Sequence, residues 1–209
     1  PLRGASSLAV LITAIGVSYL LQNVALLIFG SNARQFTSVV TLPNLKLADG
    51  ALTISSVTIV TIISCIAIMV ALTSFINKTK VGQAMLAVSE DNGAATLMGI
   101  DVNRTIAITF AIGSALAAIA GALLCSTYPS LTPYTGSMPG IKAFVAAVFG
   151  GIGSIPGALI GGILLGVIEN LSKAYISSQL SDTIVFSVLI IVLLVRPTGI
   201  LGRKIHEKV

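Results

Sequence analysis

Charge is scarce in this chain. Of its 209 residues only 9% are Asp, Glu, Lys or Arg, against about 25% in a soluble domain. A soluble surface could not be covered with so few polar groups. The chain is 55% hydrophobic with a mean hydropathy of +1.02, which points to an integral membrane protein. Tryptophan is absent and aromatics make up 5%, so no stacking platform for nucleic-acid bases is visible. The twelve Lys and Arg and the net charge of +5 do not change that. They are scattered between apolar runs, a pattern that sets membrane orientation rather than one that binds phosphates. No nucleic-acid partner is expected. Histidine occurs once, as His206, and cysteine twice, as Cys65 and Cys125. That excludes a disulfide framework and a metal cluster. Both cysteines fall in or near apolar segments and read as small hydrophobes. Pro1 opens the chain without an initiator Met or a basic n-region, so no signal peptide is visible. The expectation is a fragment lacking its natural N-terminus.

What is present is a series of apolar runs. Leu8–Phe29, Leu52–Phe75 and Thr105–Cys125 carry no charge over 22, 24 and 21 residues. Each can cross a hydrocarbon core of roughly 30 Å as a helix. Ile184–Val195 is short at 12 residues. It spans only if its helix begins near Ser178 or earlier, so a span over about 178–195 is expected. Ile141–Ile168 has Lys142 as its only charge. The reading is a polytopic all-α membrane protein, one transmembrane domain over 1–209.

Orientation follows from the basic residues. Arg3, Lys78, Lys80, Arg104, Arg196, Arg203, Lys204 and Lys208 are assigned to the cytoplasmic side. Arg34, Lys46, Lys142 and Lys173 are assigned outside, with Lys142 expected to snorkel to the outer surface. The third run then ends outside, and the last must end inside. The region between them leaves and returns on the outer side. It must be a broken pair over 141–170, either re-entrant or two short spans meeting near Gly150 to Pro156. Seven glycines and Pro156 fit such a break. Gly157/Gly161 and Gly162/Gly166 have the small-xxx-small spacing of close helix packing.

Within that pair, "FGGIGSIPGALIGG" (Phe149–Gly162) looks like a phosphate loop. No Lys follows its glycines, so the P-loop chemistry is missing. Gly151-x-Gly153 is followed by Gly157 one residue too late for a dinucleotide fingerprint. Ser154 has no base for nucleophilic chemistry, because His206 sits in the tail. No catalytic residue, metal site or cofactor is assigned to the chain. Gly150, Gly151, Gly153 and Gly157 remain candidates for a substrate path built on exposed backbone. Gln22 and Asn23 lie inside the first run, as helix glue or path lining. Glu169 ends an apolar run. It is either a solvated pair with Lys173 four residues on or a contact for substrate or binding protein.

The polar stretch Val81–Arg104 is too polar to cross and too rich in helix formers for a loop. Val81–Val88 reads as a short helix. Ser89, Glu90 and Asp91 can start a second, Gly99 can stop it in the left-handed conformation, and Asp101 can cap the next span. The result is a cytoplasmic elbow. It packs on its own bundle or docks another protein through the small residues Ala84, Ala87, Gly93, Ala94 and Ala95 and through Met85, Leu86, Val88, Leu97 and Met98.

Its pattern G-x-A-x-x-A-x-S-E-D (Gly82–Asp91), then A-x-x-x-G-I-D (Ala95–Asp101), resembles the coupling loop of ABC-importer permeases. It is most similar to those for branched-chain amino acids. "AFVAAVFGGIGSIPGALIGG" (Ala143–Gly162) and "RPTGILG" (Arg196–Gly202) match later signatures of the same family. The resemblance implies the C-terminal two-thirds of a permease in a bacterial cytoplasmic membrane. It further implies two cytoplasmic ABC ATPase subunits that bind the ATP, a second and paralogous permease subunit, and an extracytoplasmic substrate-binding protein. Mapped by motif, coupling falls on Gly82, Ala84, Ala87, Glu90, Asp91, Ala95 and Gly99. A urea or short-amide permease, and an autonomous secondary transporter or channel, are the alternatives.

Overall fold

The computed structural model describes residues 7–38, 45–47 and 52–202, which form eight helices and four short strands. Helix α1 (Ser7–Phe29) takes up the first apolar run and stops at Gly30, whose N–H donates to Leu26 O at 2.9 Å. Strand β1 (Arg34–Gln35) pairs antiparallel with β4 (Ser130–Leu131), with Arg34 opposite Leu131. A second ladder joins β2 (Leu45–Leu47) to β3 (Leu52–Ile54).

That second ladder corrects the expected span over 52–75. The backbone of Leu52–Ile54 is used in strand pairing, so helix α2 begins after Ser55 and runs Ser56–Lys78. Its 23 residues give about 35 Å, still enough to cross. The elbow follows as α3 (Lys80–Glu90) and α4 (Asn92–Leu97). Next comes α5, Val102–Thr127, which extends past the expected run at both ends.

Helices α6 (Ser137–Gly150) and α7 (Ile155–Tyr175) form a tightly packed antiparallel hairpin with its turn at 151–154. The 21 residues of α7 reach about 31 Å, a crossing length, whereas the 14 of α6 reach about 21 Å. Helix α8 is Ser181–Val195. It starts three residues after the position a full crossing was expected to need, because Ser178–Leu180 form a turn. Its 15 residues match the reach of α6 beside it.

The buried core lies in this three-helix unit. Val145 and Phe149 of α6, Leu165 of α7 and Val185 of α8 form one cluster, flanked by Phe186, Leu189 and Ile200. Elsewhere large apolar side chains face outward, among them Leu20, Leu27, Phe110, Ile163 and Leu194. So broad an exposed apolar surface belongs against lipid or other membrane chains. Among the described residues, four helices (α1, α2, α5 and α7) are long and apolar enough to span a bilayer.

Helices α1, α2, α5, α6, α7 and α8 alternate in direction. The elbow, the 151–154 turn and Arg196 therefore share one end, and the β1–β4 ladder, Tyr175 and Ser181 share the other. Lys78, Lys80, Arg104 and Arg196 lie at the elbow end. Arg34, Lys142 and Lys173 belong to the strand-end half. Arg3, Arg203, Lys204, His206 and Lys208 lie outside the described residues, as does the side chain of Lys46.

Glycine sets the α6–α7 spacing. A Cβ on Gly161 would strike Ala146 O and the backbone of Gly150, and one on Gly157 would strike Gly150 O. Nothing lies within 4 Å of a Cβ on Gly166. Replacing Gly161 by Leu should force the hairpin apart and cost about 1–3 kcal/mol or more. In detergent, the melting midpoint should fall for Gly161→Leu and hold for Gly166→Leu. Equal midpoints for both variants would refute the close-packing account.

Candidate functional site

Three groupings deserve description: the elbow, the glycine turn and the polar groups at mid-helix. The elbow begins where Thr79 stops α2. Its hydroxyl accepts from Gly82 N at 3.0 Å and donates to Phe75 O at 2.7 Å. Gly82 is buried because α3 folds straight back across the end of α2. A side chain there would overlap the backbone of Phe75 and Ile76. Asp91 caps α4, accepting from Gly93 N at 2.7 Å and Ala94 N at 3.0 Å. Gly99 stops it at φ +80°, with Ile100 N donating back to Ala95 O at 3.0 Å. Asp101 then accepts from Arg104 N at 3.1 Å and opens α5.

These contacts divide the motif residues by what they touch. Gly82 and Ala95 (3% exposed) face the bundle with Val88. Ala84 and Ala87 are half-buried. Glu90, Asp91 and Gly99 are exposed, and so are Leu97 at 90% and Met98 at 82%. The outward face of the elbow therefore carries two bare apolar side chains on a rigidly capped frame.

The glycine turn is closed. Ile200 N donates to Phe149 O at 3.0 Å, and Leu201 N donates to Gly150 O at 2.9 Å. Gly151 lies against the backbone of Leu201 and Gly202. Gly199, at φ +77°, lies against Gly151, where a Cβ would have no room. Ser154 caps α7 by accepting from Gly157 N at 3.1 Å. Gly153 alone among these glycines has open space around it. Phe149 O, Gly150 O, Gly151 N and O, and Gly157 N thus have partners within the chain.

Gln22 is placed differently. Its Nε2 donates to Ser137 Oγ at 3.0 Å, bridging α1 and α6. It lines a cleft of about 670 Å³ whose walls include Ile15, Leu21, Ile141 and Phe144. Asn23 is exposed and donates to Tyr19 O of its own helix at 2.8 Å. Nearby, Lys142 of α6 donates to Glu169 of α7 at 2.8 Å and pairs with Asp182 of α8 at 2.7 Å. Lys173 holds the same Glu169 oxygen at 2.5 Å.

The family described as "Branched-chain amino acid transport system / permease component" matches residues 3–194. The high-affinity branched-chain amino acid transport system permease protein LivH of Salmonella typhimurium is 48% identical over 217 residues. The match takes in 100% of this chain and 68% of that protein. LivH of Escherichia coli K12 is 46% identical with the same coverage. BraD of Pseudomonas aeruginosa is 45% identical over 213 residues, 100% of this chain and 69% of its own. No solved structure matches.

The chain belongs to the branched-chain amino acid permease family.

In this permease, the sequence pattern missed the shared lysine. Lys142, expected to snorkel to the outer surface, lies in the strand-end half and makes ion pairs there that its sequence position did not announce. Its side chain, 27% exposed, joins three helices through two carboxylates. Glu169 is 19% exposed, so its bond to Lys173 is not simply a solvated surface pair. The signal was available: helix alternation places Lys142, Glu169 and Asp182 in one half of the bundle. What the sequence lacked was the rotation of each helix.

Lys142→Met should leave Asp182 without a cation and Glu169 with Lys173 alone. The groups are partly solvated, so the loss should be about 1–2 kcal/mol, between exposed and buried pairs. Adding Asp182→Leu should restore part of it, since the second charge no longer lacks a partner. Melting midpoints of the single and double variants in detergent check this. Strict additivity of the two losses would show that the pair is not coupled.

Proposed function

We propose that this permease subunit moves leucine, isoleucine and valine inward across a bacterial cytoplasmic membrane. ATP hydrolysis on two cytoplasmic ABC ATPase subunits drives the movement. A second permease subunit, a paralogue, completes the path, and an extracytoplasmic binding protein delivers the substrate. The chain itself does no covalent chemistry. One observation carries the reading: 45–48% identity over the whole chain to proteins named as branched-chain amino acid permeases.

The elbow is the proposed ATPase contact. Leu97 and Met98 insert into the ATPase, and Glu90 borders them. Asp91 and Gly99 hold the frame rigid, while Gly82 and Ala95 seat it on α2 and α5, with Ala84 and Ala87 between the two faces. The proposed substrate path is the cleft at Gln22. Its apolar walls suit an aliphatic side chain, and its carboxamide suits a polar headgroup. Gly150, Gly151 and Gly157 are assigned to packing, because their backbone groups are engaged or crowded. Gly153 and Asn23 receive no path role. Glu169 is assigned to holding α6 and α7 together. An autonomous ion-coupled carrier needs a titratable group free to change partners. Glu169 and Asp182 each have a lysine instead, which favours the ATP-driven reading.

Leu97→Asp with Met98→Asp should reduce ATPase co-purification at least tenfold. The α4 cap at Asp91 is untouched, so the permease should still fold, as its detergent melting midpoint reports. Labelled leucine uptake should fall with the co-purification. Full ATPase recovery with this variant would remove the elbow from the interface. Uptake of urea in place of leucine by the unaltered system would point to the amide-permease reading.

A further inference from the structure

A second cleft opens where α1 meets the β1–β4 ladder. It encloses about 360 Å³ and is lined by Phe29, Asn32, Arg34, Leu131, Thr132 and Pro133, among others. That volume lies within the range of small-ligand sites. Its polar groups are the Arg34 guanidinium, the Asn32 carboxamide and Thr132, which is bonded to Thr135, among otherwise apolar walls.

Arg34 is positioned by backbone. The β-ladder sets it opposite Leu131, and Phe36 N extends the pairing by donating to Pro129 O at 2.7 Å. The guanidinium carbon stands 5.6 Å from the centroid of the Phe29 ring, and Nη2 donates to Phe29 O at 3.4 Å. Stacking of this kind holds the planar fork while leaving donors free. Among the described residues no carboxylate pairs with Arg34, whereas Lys142 and Lys173 both have acidic partners. Pro133 also lines the Gln22 cleft, so the two clefts adjoin.

We propose that Arg34 receives the α-carboxylate of an aliphatic amino acid at the outer mouth of the permease, with Phe29, Leu131 and Pro133 holding its side chain. A bidentate guanidinium–carboxylate pair supplies orientation as well as attraction. Substrate then passes along α1 to the Gln22 cleft. This inference rests on the transport reading and adds a loading site to it.

The test uses the complete transporter in proteoliposomes: full-length permease, partner permease, ATPases and binding protein. For Arg34→Gln, leucine uptake should fall at least tenfold. Binding-protein affinity, and ATP hydrolysis stimulated by the loaded binding protein, should stay within twofold of wild type. Arg34→Lys should give an intermediate rate, since it restores charge without the fork. Leu131→Trp, which fills the cleft and keeps the cation, should also lower uptake.

Uptake by Arg34→Gln within twofold of wild type would overturn the proposal. So would weakened binding-protein affinity that tracks the loss of uptake, for Arg34 would then be a docking contact. A loss of stimulated hydrolysis together with uptake would likewise count against it, as the mark of a general structural role. Failure of the unaltered transporter to move leucine would show before any variant is measured. That result would overturn the substrate reading and this site with it.

Discussion

Two backbone hydrogen bonds hold the three-helix unit at the elbow end: Ile200 N to Phe149 O and Leu201 N to Gly150 O. Their importance follows from where they are. A helix end near hydrocarbon leaves carbonyls that water cannot easily reach, and each needs an internal partner. The segment after α8 supplies those partners. It can do so only because Gly151, Gly199 and Gly202 let two stretches of backbone meet without side chains between them. At the opposite end the same helices are joined by Lys142, Glu169 and Asp182. One end is tied by backbone and the other by charge, and the buried cluster around Phe149 and Val185 fills the space between.

The rest of the chain is less tightly held. Helix α5 exposes Phe110 and Ile119, and α1 exposes most of its apolar side chains. Such faces require lipid or further membrane helices to cover them. The Gln22–Ser137 bond is one polar tie from α1 to the three-helix unit, and the β1–β4 ladder is another tie at the strand end. The Gln22 cleft lies between the compact unit and α1, and the second cleft lies between α1 and the β1–β4 ladder. The packing around these clefts is open, whereas Phe149, Gly150 and Gly151 of the glycine turn have backbone partners within the chain.

Much of this was legible in the sequence. Charge-free length identified the long helices, and the count of crossings pointed to a broken pair over 141–170, the region where α6 and α7 form their hairpin. Asp91, Gly99 and Asp101 announced their capping roles by residue type, because those roles depend on local backbone alone. Glycine clustering announced a break but not its use. Exposed backbone and close packing place the same demand on sequence, and only the position of Arg196–Gly202 separates them. The start of α2 was misplaced because Leu52–Ile54 is as apolar as a helix end, and strand pairing with Leu45–Leu47 is a non-local event. Arg34 gave no signal, since a lone arginine in a loop acquires meaning only beside Phe29 and Leu131.

The elbow can be compared with the work it is asked to do. In the proposed ATPase contact, burying Leu97 and Met98 would contribute about 1.5–3 kcal/mol for each side chain. Moving a two-state bundle from 1:99 to 99:1 needs about 5.5 kcal/mol of difference between states. The two figures are of the same order, so the contact is large enough to matter. Yet a dock of equal strength in both states shifts nothing, however tight it is. Constant burial of these two side chains would only hold the subunits together. Under the proposed ATPase contact, the driving difference has to come from a change in the ATPase cleft as nucleotide is bound and hydrolysed. The elbow must then be stiff enough to pass that change on rather than absorb it. Its caps at Thr79, Asp91 and Asp101, together with the contact of Gly82 on Ile76, provide that stiffness. Helix α2 packs against both α3 and α7. A push on the elbow therefore reaches the clamped three-helix unit through a continuous chain of packed helices.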